Sequence, residues 1–394
     1  MSESVDIQTN GTLNPVAGDT DRQQGFLPSH AVQTHASFLL QLANGDLGCV
    51  WFAGTEEGKP DVSIYFSRLK QGSDQWTPEQ KLSDDPTRSE QNPVLFETPS
   101  GELWVLYTAQ EFGNQDTSIV RRRISKDNGE TWGPIEQAFD EVGLFIRNPI
   151  VVLDNGDWLL PVFHCNPVPG EKWHGHNDTS GVKISTDQGR SWTEYEVPGS
   201  VGAVHMNIVD LNNGSLLALY RSRYADAIYA SHSTDNGRTW TRPQPTDLPN
   251  NNSSIQARAL SDGTLALVYN AISAKDSADR RAGLYDGIAD DSKPVGEKDP
   301  EFDKLRRAVW GTPRTPMTIA LSTDGGKTWP QRRDIDASAG TALSNDTSSG
   351  VRRNFELSYP TVTELSDGRI GVAYTYFRSA IKFVRFPRSW VAAG

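Results

Sequence analysis

The sequence predicts an all-β fold, a six-bladed β-propeller, on three observations. The first is an octet of the pattern Ser-x-Asp-x-Gly-x-Thr/Ser-Trp at residues 125–132, 185–192, 233–240 and 322–329, with a worn copy over residues 72–76. The second is a turn dipeptide between two apolar runs: Asn44-Gly45, Ser100-Gly101, Asn155-Gly156, Asn213-Gly214, Asp262-Gly263 and Asp367-Gly368. The third is their period. The first five of these glycines recur about every 55 residues. The last interval is about twice as long because residues 271–314 are inserted.

Each element follows from its residues. In the octet at 233–240, Asp235 can accept backbone N–H bonds inside a tight turn and Gly237 supplies a φ > 0 position. Trp240 then needs a large surface to pack on. The turn dipeptides between β-patterned runs predict hairpins. A third strand and then the octet or its worn copy follow each of the first five; the sixth has a third strand at 381–386 and no octet. Six four-stranded sheets repeated radially make one propeller over residues 31–394, since a single sheet cannot bury both faces alone. A stacked sandwich is the competing architecture, and the fixed period argues against it. Residues 1–30 are polar and aperiodic, an arm that either donates a closing strand or lies loose.

A net charge of −12 argues against a nucleic-acid partner and against anionic membranes, and no apolar run approaches a membrane span. The first residues show no charged-then-apolar leader, and the sequons at Asn10, Asn177 and Asn345 are too common a pattern to decide a compartment, which stays open. Cys49 sits in an apolar strand pattern and reads as core; two cysteines make no disulfide framework.

In a propeller the start of each innermost strand and the end of the second strand share one rim. Counting from the hairpin glycines, the starts are His35, Asn92, Asn148 (beside Arg147), His205, Ser254 and Tyr359. The ends are Glu56, Glu57, Gln110, Glu111, His164, Arg221, Arg223, Asn270 and Arg378. Any one of these is equally a solvated loop end; together they predict a concave polar pocket for a small ligand. No cofactor is implied. His164, Cys165, His174 and His176 could instead form a zinc site, a spacing that also arises by chance. The run Asn250-Asn-Asn-Ser-Ser254 is either a polar turn or a sugar-binding edge. The insertion, mixed in charge from Lys275 through Glu297 to Asp303, reads as a lid or subsite wall beside Arg314, or as a surface excursion.

The octets resemble the Asp boxes of the sialidase (neuraminidase) superfamily, over roughly residues 31–386. The stretches Thr34-His-Ala-Ser37, Trp51-Phe-Ala-Gly-Thr-Glu-Glu-Gly58, Val204-His-Met-Asn-Ile-Val209 and Leu357-Ser-Tyr-Pro-Thr361 resemble bacterial and fungal proteins labelled predicted neuraminidases with BNR repeats. The resemblance implies a six-bladed propeller acting on a terminal acidic sugar of a glycan. It implies Tyr359 as nucleophile, since a phenol avoids the repulsion that a carboxylate nucleophile would meet from the substrate's own carboxylate. It implies Asp61 as acid/base, with Glu57 as nearest competitor, and Arg221 and Arg314 as carboxylate-binding arginines.

Two positions depart from the family's pattern. His35 stands where a first arginine is expected, and His205 where the glutamate that helps the tyrosine is expected. An imidazole at 35 is a weaker, pH-dependent anion partner, and one at 205 could take a proton from Tyr359 or from carbon. The expected activity is therefore exo-glycoside hydrolysis. The alternatives are β-elimination of a uronate by a His/Tyr pair and non-catalytic glycan binding.

Overall fold

The computed structural model describes residues 7–281, 283–284, 306–340 and 354–392. The described part of the insertion ends at Leu284 and resumes at Arg306, so its segment from Glu297 to Asp303 lies outside the described residues, as does Asn345. Six antiparallel sheets are arranged radially, and each grows outward from an innermost strand. Blade one comprises Gln33–Gln41, Leu47–Gly54, Ser63–Leu69 and Gln80–Lys81; blade two Arg88–Glu97, Leu103–Glu111, Ile119–Ser125 and Glu136–Gln137. Blade three has Trp158–His164, Thr179–Ser185 and Thr193–Glu196, and its innermost strand is split into Leu144–Ile146 and Val151–Val152. Blade four comprises Ala203–Asp210, Leu216–Ser222, Ala227–Ser233 and Gln244–Pro249; blade five Gln256–Ala259, Leu265–Asn270, Met317–Ser322 and Gln331–Asp336. Blade six has Leu357–Glu364, Ile370–Tyr376 and Ala380–Phe386.

The N-terminal stretch supplies the rest of blade six. Asp19–Phe26 pairs antiparallel with Ala380–Phe386, and Asn14–Val16 adds a further strand outside it. First and last parts of the chain thus share one sheet, which closes the ring. Among the described residues no helix is long and apolar enough to cross a membrane.

The apolar cores lie between neighbouring sheets, because each blade presents an apolar face to each neighbour. Val209, Leu217 and Leu219 of blade four meet Ala257, Leu267 and Ala320 of blade five in one such cluster. Cys49 lies unpaired in the layer between blades six and one.

The octets build one structure four times. Ser233 Oγ bonds Asp235 and accepts from the Gly237 N–H at 3.0 Å; Asp235 accepts from the Thr239 N–H at 2.9 Å and its hydroxyl at 2.7 Å. The corresponding bonds recur at Asp127, Asp187 and Asp324. The threonine or serine hydroxyl and its N–H hold these three carboxyls down to about 2. The octet's glycine also touches the preceding blade: a Cβ on Gly237 would lie 2.7 Å from Leu159 of blade three. Trp76 of the worn copy meets Phe383 of blade six edge-on at 5.3 Å, the same use of the tryptophan at the ring's closure.

Gly237→Ala therefore combines backbone strain at φ +82° with a clash, whereas Gly263→Ala, at φ +81° with nothing within 4 Å, carries strain alone. Chemical denaturation should show a loss of about 1–2 kcal/mol for Gly263→Ala and a distinctly larger one for Gly237→Ala.

Candidate active site at the channel mouth

The innermost strands reach the mouth through a repeated irregularity. In four blades the ladder skips two residues on the innermost strand against one on its partner, between His35 and Phe38, Gln91 and Val94, Val204 and Asn207, and Ser358 and Thr361. The partners passed over are Trp51, Tyr107, Tyr220 and Tyr374, all buried. Each bulge holds a left-handed non-glycine residue: Ala36 (φ 56°), Asn92 (48°), His205 (52°) and Tyr359 (50°). Bulges re-aim side chains, and a left-handed bulky residue costs about 1–3 kcal/mol, so it persists only where its surroundings enforce it.

Tyr359 lies at the centre, 5% exposed. Its hydroxyl accepts from Arg221 Nη1 at 2.7 Å, and the guanidinium carbons of Arg221 and Arg314 each lie 5.6 Å from its ring centroid. The His35 ring is 4.2 Å away and the His205 ring 5.7 Å. Burial alone would raise the phenol's pKa, but Arg221 and Arg314 outweigh it and bring it below the ordinary tyrosine value. Arg221 is itself pulled down to about 9 by burial. Its Nε donates to Asn252 at 2.8 Å, and its Nη2 is buried with no acceptor among the described residues.

The two histidines are neutral. Burial, with Arg378 next, holds His35 well below its ordinary value; burial, with Arg221 next, does the same for His205. Arg221 Nη1 lies 3.3 Å from His205 Nε2, and an arginine can only donate. Nε2 is therefore the acceptor of that bond, and Nδ1–H donates to Ser254 Oγ at 3.1 Å.

A carboxylate absent from the expected set organises one side of the site. Glu356 is 1% exposed; its Oε1 accepts from Arg378 Nε at 2.7 Å, Arg314 Nη1 at 3.1 Å and Ser358 Oγ at 2.7 Å. Burial works against its charge, yet Arg314 and Arg378 hold it well below the usual carboxylate range. Arg378 also pairs with Glu57, and its charge acts on His35, so this blade-six arginine occupies the corner where His35 stands in place of an arginine.

Other expected residues are placed differently. Arg223 is locked to buried Asp178 at 2.6 and 3.0 Å, with Trp173 and Trp310 rings each 5.3 Å from it. Trp310 belongs to the insertion and also lies 5.7 Å from Arg221, so the insertion's end walls these arginines. Asn148 holds the His205 carbonyl at 2.7 Å, and Asn270 ties Pro316 to Leu357, each at 2.9 Å; both brace backbone. Asn92 is buried in its bulge. His164 turns outward, with Nε2 2.5 Å from Glu194. Asp61 is exposed in the loop after the second strand of blade one and accepts from the Thr55 N–H at 2.9 Å. Arg147 lies in the channel, bonded to backbone. Asn250 and Asn252 brace Ser222 and Arg221, which makes their run a scaffold turn.

The zinc reading is not supported. His174 and His176 have rings 6.2 Å apart, and among the described residues no three His, Cys, Asp or Glu side chains converge. Glu356, Asp178 and Trp310 carry no signal in the sequence pattern, since each lies outside the repeat.

Residues 45–372 match the family model of the BNR repeat-like domain. The chain belongs to the BNR repeat-like family. A sialidase of Micromonospora viridifaciens is 24% identical over 357 residues, 76% of this BNR chain and 51% of that protein. The chain thus spans about half the length of the curated relative it matches. Its fold is similar to a Hadza microbial sialidase (TM-score 0.66, 15% identity, 92% of this chain and 67% of that one). It is also similar to the intramolecular trans-sialidase from Ruminococcus gnavus, solved in complex with oseltamivir carboxylate (TM-score 0.65, 15% identity, 96% and 98%). A Dyadobacter fermentans protein of unknown function shares it too (TM-score 0.61, 16% identity, 91% and 96%). The likeness gives this BNR protein the propeller fold of those sialidases.

Two outcomes test the electrostatics. Glu356→Gln removes one partner of a buried ion cluster and should cost about 3–5 kcal/mol in denaturant unfolding. His35 and His205 have folded pKa values below the unfolded 6.5, so the unfolded chain binds more protons under that pH. Stability should therefore fall as pH drops below about 6.5, by up to about 1.4 kcal/mol per pH unit for each histidine, and His205→Asn should remove one histidine's share of that slope.

Proposed function

We propose that this chain is a glycosidase that cleaves the bond joining a terminal carboxylate-bearing sugar to a glycan. The observation that carries this reading is the Tyr359 phenol held 2.7 Å from Arg221, whose Nη2 is buried without an acceptor among the described residues. One guanidinium thus stabilises a phenolate and keeps an N–H for a substrate carboxylate. Arg314, together with Arg378 in the His35 corner, adds positive charge on the Glu356 side of the ring. In the reaction, the phenolate oxygen bonds to the anomeric carbon as the glycosidic C–O bond breaks. The leaving oxygen takes a proton from an acid, for which solvent-facing Asp61 suits better than Glu57, already engaged by Arg378. Water then releases the sugar.

Elimination has its own support in His205 Nε2, an unprotonated ring nitrogen near the phenol that would exchange its Arg221 N–H for a substrate proton. Such a base would take the C5 proton of a uronate as the C4–O bond breaks, a C4–C5 double bond forms and the leaving oxygen takes the Tyr359 hydroxyl proton. The collected charge is more than a glycan-binding module needs.

Mass analysis of products from a panel of acidic glycans distinguishes these readings. Hydrolysis adds water and releases one acidic sugar; elimination adds none and leaves an unsaturated product. We expect hydrolysis, with Tyr359→Phe lowering kcat by at least about a thousandfold; full activity in that variant would overturn the assignment. Asp61→Asn should slow alkyl glycosides strongly and aryl glycosides with good leaving groups little.

A further inference from the structure

Arg147 is a buried cation that no carboxylate among the described residues neutralises. It lies where the innermost strand of blade three breaks, between Ile146 and Val151. Its Nη2 donates to the carbonyls of Ser37 at 3.0 Å, Tyr359 at 3.2 Å and Pro360 at 3.5 Å. Its Nε donates to Ser254 Oγ at 3.3 Å, and its guanidinium carbon is 5.4 Å from the Tyr359 ring centroid. One side chain from blade three thereby reaches blades one, five and six across the channel.

The acceptors are informative. Ser37 and Tyr359–Pro360 lie in the bulges where the ladder skips residues, so their carbonyls need another donor. Arg147 supplies it to both bulges. The Ser254 hydroxyl it holds is the one that accepts from His205 Nδ1, which fixes that ring's tautomer. Tyr359 and His205 are thus referred to one guanidinium, one through its backbone and one through a serine.

We propose that Arg147 is a positioning residue that keeps the Tyr359 phenol and the His205 imidazole in working register from beneath, without touching substrate. This inference rests on the glycosidase reading for its kinetic consequence, but not for its structural one. A purely structural arginine would affect only the amount of folded protein. A positioning arginine also alters turnover per folded molecule and the ionisation of the phenol it faces.

The test compares the wild-type full chain with Arg147→Lys, Arg147→Met and Ser254→Ala. Ser254→Ala removes only the bonds from Arg147 Nε and His205 Nδ1 and guards against misfolding of the arginine variants. On the acidic glycan turned over by the wild type, kcat should fall about 10- to 100-fold in Arg147→Met, with KM within about threefold. Arg147→Lys should recover part of the loss, and Ser254→Ala should show a smaller one. Ultraviolet titration of the phenol, assigned by difference against Tyr359→Phe, should show it ionising at higher pH in Arg147→Met, because a nearby cation has been removed. This titration needs no turnover. If the wild type turns over no acidic glycan, the glycosidase reading falls while the titration still judges Arg147. An unchanged phenol titration in folded Arg147→Met would overturn the inference. So would a loss confined to KM, which would make Arg147 a substrate contact.

Discussion

The architecture of the mouth depends on paying one electrostatic cost: five guanidiniums are buried around a single phenol. Arg147, Arg221, Arg223, Arg314 and Arg378 are each 3% exposed or less. Buried charge needs partners. Asp178 answers Arg223, and Glu356 with Glu57 answers Arg314 and Arg378. Arg221 and Arg147 have no carboxylate among the described residues, and burial pulls them down to about 9 and about 10. The surplus falls on Tyr359, whose phenol is acidified although burial alone would do the reverse. The same surplus is what an anionic ligand would meet.

Holding that surplus in place needs a rigid frame, and the frame is made far from it. The octet turns sit at the other end of the strands, where each aspartate closes its turn and each glycine lies against the preceding blade. Trp76 on Phe383 and the Asp19–Phe26 strand complete the ring. With the blades fixed, the mouth can keep four strained bulges whose left-handed residues include His205 and Tyr359. A histidine and a tyrosine pay a backbone cost there that glycine would avoid, which fits positions held for their side chains.

The sequence carried much of this. Starts of innermost strands counted from hairpin glycines included His35, His205 and Tyr359, whose rings the structure brings together. Counting works because a strand advances by a constant rise and alternates its faces. It failed for His164, which lies at the rim but turns to Glu194. It also put Arg147 among the substrate contacts, when the break in its strand sends it into the channel beneath Tyr359.

What the sequence determined by itself was the part that repeats: octets, hairpins, six sheets, and therefore which ends of which strands meet at one mouth. Tertiary structure alone decided the pairings within that mouth. Glu356 with Arg314 and Arg378, Asp178 with Arg223, and Trp310 beside Arg221 each occur once, joining segments that become neighbours only when the sheets form and pack. Periodicity reports local geometry, written many times along the chain. The choice of a counter-ion depends on distance in space, and no spacing along the chain records it.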